Sequence, residues 1–110
     1  MADHTPLRTQ LINTLATSHT GAANGINAEA LARKLGTDTR TLRSLVSEAR
    51  TEGVAIASTP ETGYYIARTP EELDECCRFL RGRAMHSLRL ESQLRRIPMP
   101  ELLGQLHLPT

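Results

Sequence analysis

Aromatic side chains are scarce: Tyr64, Tyr65 and Phe79 are the only three, and tryptophan is missing. With hydrophobic residues at 39%, Leu, Ile, Val and Ala are left to fill one modest core, which suits a small helical fold. The two cysteines, Cys76 and Cys77, are adjacent. On a helix adjacent side chains diverge, which excludes a bridge between them without unusual backbone geometry, and their spacing matches no zinc motif. They read as small apolar residues in a reduced compartment. No run of about 18 apolar residues is present, so no membrane-spanning helix is expected. Met1-Ala2-Asp3-His4-Thr5-Pro6 lacks the basic and apolar regions of a secretion signal, and the cytoplasm is the expected location.

Chemistry-bearing motifs are lacking as well. The four histidines, His4, His19, His86 and His107, are scattered, and no glycine-rich phosphate loop, Ser/His/Asp set or metal-ligand spacing occurs. Glu71, Glu72, Asp74 and Glu75 resemble paired catalytic acids, but a helix N-terminus explains them electrostatically. The sequence therefore predicts no catalytic residue, no metal, no cofactor and no small-molecule site. Net charge is only +1, so no overall attraction to a polyanion is built in.

What is present is an order of elements. A chain of 110 residues makes one domain with an appended helix or tail. Thr5-Pro6 reads as a cap and a proline in the first helical turn, followed by Leu7, Leu11, Ile12, Leu15 and Ala16 at helical spacing. Residues 17–25 are small and polar, hence a loop. Ile26 can pair as a very short strand, and Asn27 can cap a second helix over 28–35, with Leu31, Ala32 and Leu35 inward and Gly36 as its left-handed terminator. Asp38 caps a third helix over 39–52, with Leu42, Leu45, Val46 and Ala49 on its inner face and Gly53 at its end. The period then changes. Val54, Ile56 and Ser58 alternate, residues 59–63 form a Pro/Gly turn, and Tyr64, Tyr65 and Ile66 are strand formers, so a hairpin is expected. Thr69-Pro70-Glu71-Glu72 starts a last helix that can run to Ile97, ahead of Pro98 and Pro100. The predicted class is α+β, mostly α, divided into 5–68, 69–97 and a tail over 98–110.

Two helices joined by a short glycine-containing turn, the second with a free polar face, make a helix-turn-helix. The outer face of the third helix carries Arg40 and Arg43, which can bridge guanine O6 and N7, with Thr39, Thr41, Ser44 and Ser47 for phosphate or secondary contacts. Arg33, Lys34 and Arg50 complete the predicted contact set for double-stranded DNA. Residues 26–46, 52–56 and 63–66 together resemble the winged helix-turn-helix of biotin-operon-repressor-like bacterial regulators. The likeness covers roughly residues 7–68 and is most specific in 35–43 and in Gly63-Tyr64-Tyr65-Ile66. It implies a three-helix core, a hairpin wing, and a recognition helix bearing Arg40, Thr41 and Arg43. The wing tip departs from the family pattern, since Glu61 is acidic and no Lys or Arg is present there. Of Tyr64 and Tyr65, one is expected on the core while the other can meet a phosphate. A weaker likeness over the whole chain, carried by Gly63-Tyr64-Tyr65 and the Leu/Arg-rich 69–96, is to small phage and prophage proteins.

Along the last helix, Leu73, Cys77, Leu80, Ala84 and Leu88 share one face, while Leu90, Leu94 and Ile97 align instead with Cys76 and Phe79. This shift predicts that the first stripe packs on its own domain and the second meets another copy, giving a homodimer that presents two recognition helices. The competing reading is a winged-helix module that docks on a protein to recruit or inhibit it, which the acidic tip and near-neutral charge favour.

Overall fold

The computed structural model describes residues 4–108. It is α+β and mostly helical. In chain order come α1 (Thr5–Ser18), a 3₁₀ turn (Ala22–Asn24), α2 (Ala28–Leu35), α3 (Thr39–Thr51), β1 (Ile56–Thr59), β2 (Gly63–Ile66), α4 (Pro70–Arg95) and α5 (Met99–Gln105). Two compact units divide the chain within α4, residues 1–76 and residues 77–110. Among the described residues no helix is long and apolar enough to cross a membrane.

In the first unit, α1, α2 and α3 bury Leu11, Leu15, Leu31, Ala32, Leu35, Leu42, Leu45, Val46 and Ala49 together with Ile56 of β1. These are the positions that helical spacing marks as inward, because side chains three and four apart share one face. β1 and β2 pair antiparallel, Ile56 opposite Ile66 and Thr59 opposite Gly63. Alternation along a strand sends neighbours to opposite faces. Ile56 and Tyr64 accordingly meet the three-helix core, while Ala57 and Tyr65 form a second cluster with Cys76.

The hairpin is tied back to the helices by more than its own ladder. Ile26 and Tyr64 exchange both backbone hydrogen bonds, at 2.9 and 2.7 Å, so the lone apolar residue before α2 does act as a one-residue strand. Glycine is required at this crossing. Gly63 has φ +73°, and a Cβ there would run into the Ile26 carbonyl; one on Gly25 would run into the Thr62 carbonyl. On the other edge, Ile66 accepts from the Gly21 amide and donates to the His19 carbonyl, both at 2.8 Å.

Three expectations are corrected. Thr5 is not the cap of α1; it is the first helical residue, and His4 stands at the cap with its ring turned to Glu48 on α3, 2.8 Å away. Residues 17–25 are not all loop, since α1 continues to Ser18 and a 3₁₀ turn follows. At the start of α4, Leu73 and Cys77 are exposed and Cys76 is buried, so the face turned to the first unit is not the one expected. The reason is one turn earlier. Thr69 caps the helix by accepting from the Glu72 amide, and the Glu72 carboxylate accepts from the amides of Ala22 (2.7 Å) and Arg68 (2.8 Å). That anchor sets the helix rotation and brings residue 76, four positions on, beneath Tyr65 and Ala57. It also explains why the first unit reaches Cys76, beyond the boundary expected at residue 68.

In the second unit, Ser92, Leu102 and Leu103 are buried, and Ile97 donates to the Ser92 carbonyl where α4 ends at the left-handed Arg96. Most of this unit's large apolar side chains remain exposed: Phe79, Leu80, Leu90, Leu94, Leu106 and Leu108.

Candidate nucleic-acid interface

The surface singled out by the sequence is the outer side of α3 with the last turn of α2. Three local devices hold these helices. Asn27 Oδ1 accepts from the Ala30 amide at the start of α2. Gly36 then takes φ +70°, and its amide and that of Thr37 return to carbonyls of the last turn, a glycine-terminated helix end. Two residues later Asp38 Oδ1 accepts from the Thr41 amide, starting α3. That bond, assisted by the charge of Arg40, holds the Asp38 carboxyl below its ordinary pKa, so the cap stays ionised.

With Leu42, Leu45, Val46 and Ala49 buried, the opposite side of α3 is left to polar residues. Arg40, Arg43, Ser44 and Ser47 are exposed along it, three or four positions apart; Thr39 and Thr41 are half-buried at its start. Among the described residues neither Arg40 nor Arg43 forms an ion pair or a side-chain hydrogen bond. Arg33 and Lys34 are exposed on the last turn of α2, with Lys34 Nζ 3.4 Å from His19 Nε2.

Arg50 does not join this face. Its Nε donates to the Ile56 carbonyl at 2.7 Å, one terminal nitrogen reaches Ser58 Oγ at 3.3 Å, and the same nitrogen lies 3.9 Å from Cys76 Sγ. The guanidinium is committed to joining α3, β1 and α4. Periodicity alone gave no warning, because Arg50 lies two turns beyond Arg43 in the same direction. The signal that could have found it is the short connection through Gly53, which brings a strand carbonyl back within six residues of the helix end. On the side of α3 facing α1, Glu48 accepts from His4 and Arg8, and Glu52 lies 3.1 Å from Arg8. The bond from His4, followed by the charges of His4 and Arg8, keeps the Glu48 carboxyl below its ordinary pKa.

At the hairpin tip, the hydroxyls of Thr59 and Thr62 bond each other at 2.9 Å and each accepts from the other residue's amide. Pro60 and Glu61 are the exposed residues of this closed turn. Tyr65 is fully buried and its hydroxyl has no partner among the described residues. Burial first, then the nearby carboxylates of Glu72 and Glu75, raise its pKa, so it stays a neutral phenol. Tyr64 is half-buried against the three-helix core.

Charge is divided between the units. Residues 1–76 hold seven Lys/Arg against ten Asp/Glu, and residues 77–110 hold six against two. Within the first unit, the exposed cations Arg33, Lys34, Arg40 and Arg43 fall on α2 and α3. Comparison of the chain with protein-family models, with curated proteins and with solved structures finds no match.

Proposed function

We propose that this chain is a cytoplasmic, sequence-specific binder of double-stranded DNA and a transcriptional or phage-type regulator, built as a winged helix-turn-helix. α3 is the recognition helix in the major groove and the hairpin is the wing. The observation that carries the reading is the freedom of Arg40 and Arg43 on a helix whose inner face and cap are otherwise locked. Arginine donors held on a rigid helix lose little on entering a groove, and a bidentate contact to guanine is the commonest way a protein reads a base pair. Ser44 and Ser47 extend that face, Thr39 and Thr41 begin it, and Arg33 and Lys34 serve phosphates beside it. Arg50 is left out of the contact set because its donors are already used. Two copies joined through the C-terminal helix double the phosphate contacts, which a chain with few free cations per copy needs at physiological salt.

The test is selection from a random duplex pool, followed by anisotropy titration of the enriched sequence against a scrambled one over a range of salt. An enriched twofold-symmetric site bound more tightly than its scramble is expected; no binding even at low salt would overturn the reading. A second reading, docking on a protein partner, is favoured by the exposed Glu61 at the tip and by the acidic balance of residues 1–76. It predicts that Glu61→Lys abolishes partner capture, whereas the DNA reading predicts that the same change strengthens duplex binding in a salt-dependent way.

A further inference from the structure

Gly82 lies near the middle of the 26-residue helix α4. A glycine in a helix interior destabilises it relative to alanine and calls for a reason. None exists within the chain, since a Cβ built on Gly82 meets nothing within 4 Å. It forms instead the floor of a shallow open groove lined by Phe79, Arg83, His86 and Ser87. Two turns to either side, at the heptad spacing that keeps one direction along a helix, stand Glu75 and Arg89. Both are exposed, and neither side chain makes an ion pair or hydrogen bond among the described residues. On one helix they are about 21 Å apart at 1.5 Å per residue, too far to meet each other.

We propose that α4 pairs antiparallel with α4 of a second copy, with the twofold axis passing at Gly82. The absent side chain lets the two backbones approach, and Phe79 and His86 close over the crossing from both sides. An antiparallel pair centred there sets Glu75 beside the partner's Arg89 twice over, once on each side of the axis. A parallel pair would set like charge against like, so charge selects the orientation. This deepens the twofold assembly proposed above and rests on it, though not on DNA binding.

The experiment is sedimentation equilibrium of the full chain without DNA, at low and high salt, with circular dichroism confirming that each variant is folded. The parent is expected to dimerise more weakly as salt rises. Glu75→Arg and Arg89→Glu should each weaken the dimer about tenfold at low salt, and the double variant should restore it, because the two charges can meet only between copies. Gly82→Ala should raise helix stability yet weaken the dimer, which a merely local role for the glycine would not do. A double variant as weak as the singles, or a Gly82→Ala dimer as tight as the parent, overturns this register while leaving some other twofold contact standing. A chain that is monomeric at every concentration overturns the assembly altogether. The DNA titration is read separately, so loss of duplex binding with an intact dimer would count against the DNA reading alone.

Discussion

The two units of this chain treat their apolar residues in opposite ways. In residues 1–76 nearly every large aliphatic side chain is buried, and the exposed surface is polar, short and charged. In residues 77–110 the fully buried apolar residues are Leu102 and Leu103, while Leu94 is 85% exposed and Leu90 48%. Scattered exposed leucines are ordinary on a folded surface. A long helix that keeps Phe79, Leu80, Leu90 and Leu94 in water, beside an unexplained glycine, is a surface waiting for a partner. The first unit therefore carries its own stability, and the second carries an interface. The division of charge runs the same way, acidic in the unit that is packed and basic in the unit that is not.

The sharpest way to break this contrast is to remove the same side chain from each unit. Leu42→Ala, at a fully buried position, should cost about 2–5 kcal/mol in urea unfolding through lost burial and the cavity left behind. Leu94→Ala should stay within about 0.5 kcal/mol when measured on dilute, monomeric protein. Equal losses at the two sites would erase the distinction. Next in size are the arginines of α3, which separate recognition from architecture. Arg43→Ala should cost about 1–3 kcal/mol of discrimination at one base pair without changing the unfolding midpoint. Arg50→Ala should instead lower stability by about 1–2 kcal/mol, since it leaves the Ile56 carbonyl without its donor, and should leave base preference unchanged. Smaller, and opposite in sign, is Tyr65→Phe. Deleting a buried hydroxyl that has no partner should raise stability by roughly 1 kcal/mol, read from the urea midpoint.

The smallest expected effect is a pH dependence confined to the first unit. Glu48, Glu72 and Asp38 all have folded pKa values below their ordinary ones, so folding favours their ionised forms. Their stabilisation is complete above the unfolded carboxylate range and is lost as pH falls through the lower folded values. Glu48→Gln should therefore flatten part of the loss between neutral pH and about pH 3, measured as urea midpoints across that interval. An unchanged slope would mean that the His4–Glu48–Arg8 cluster does not contribute.

Much of this organisation could be read before any coordinates. Asn27, Gly36 and Asp38 announce the ends of α2 and α3 because caps and left-handed glycines act within four residues, and 3.6-residue spacing marks the inward faces because burial repeats with the helix. The outer face of α3 follows from the same periodicity, which is why Arg40, Arg43, Ser44 and Ser47 emerge together. Arg50 obeys that periodicity and still leaves the face, because a long side chain at a helix end goes to whichever acceptor the fold brings near. Sequence spacing holds no record of the Ile56 carbonyl.

Local chemistry, then, was enough to determine the order of helices and hairpin, their ends and their buried faces, since each depends on neighbours a few positions away. The third dimension decided which way α4 turns, which of two adjacent cysteines goes inside, where Arg50 spends its donors and that Tyr65 keeps a lone hydroxyl. Those outcomes depend on groups such as Ala22 and Glu72, fifty residues apart, meeting at 2.7 Å. A contact of that kind exists only once the chain has closed on itself, and no window along the sequence contains both of its ends.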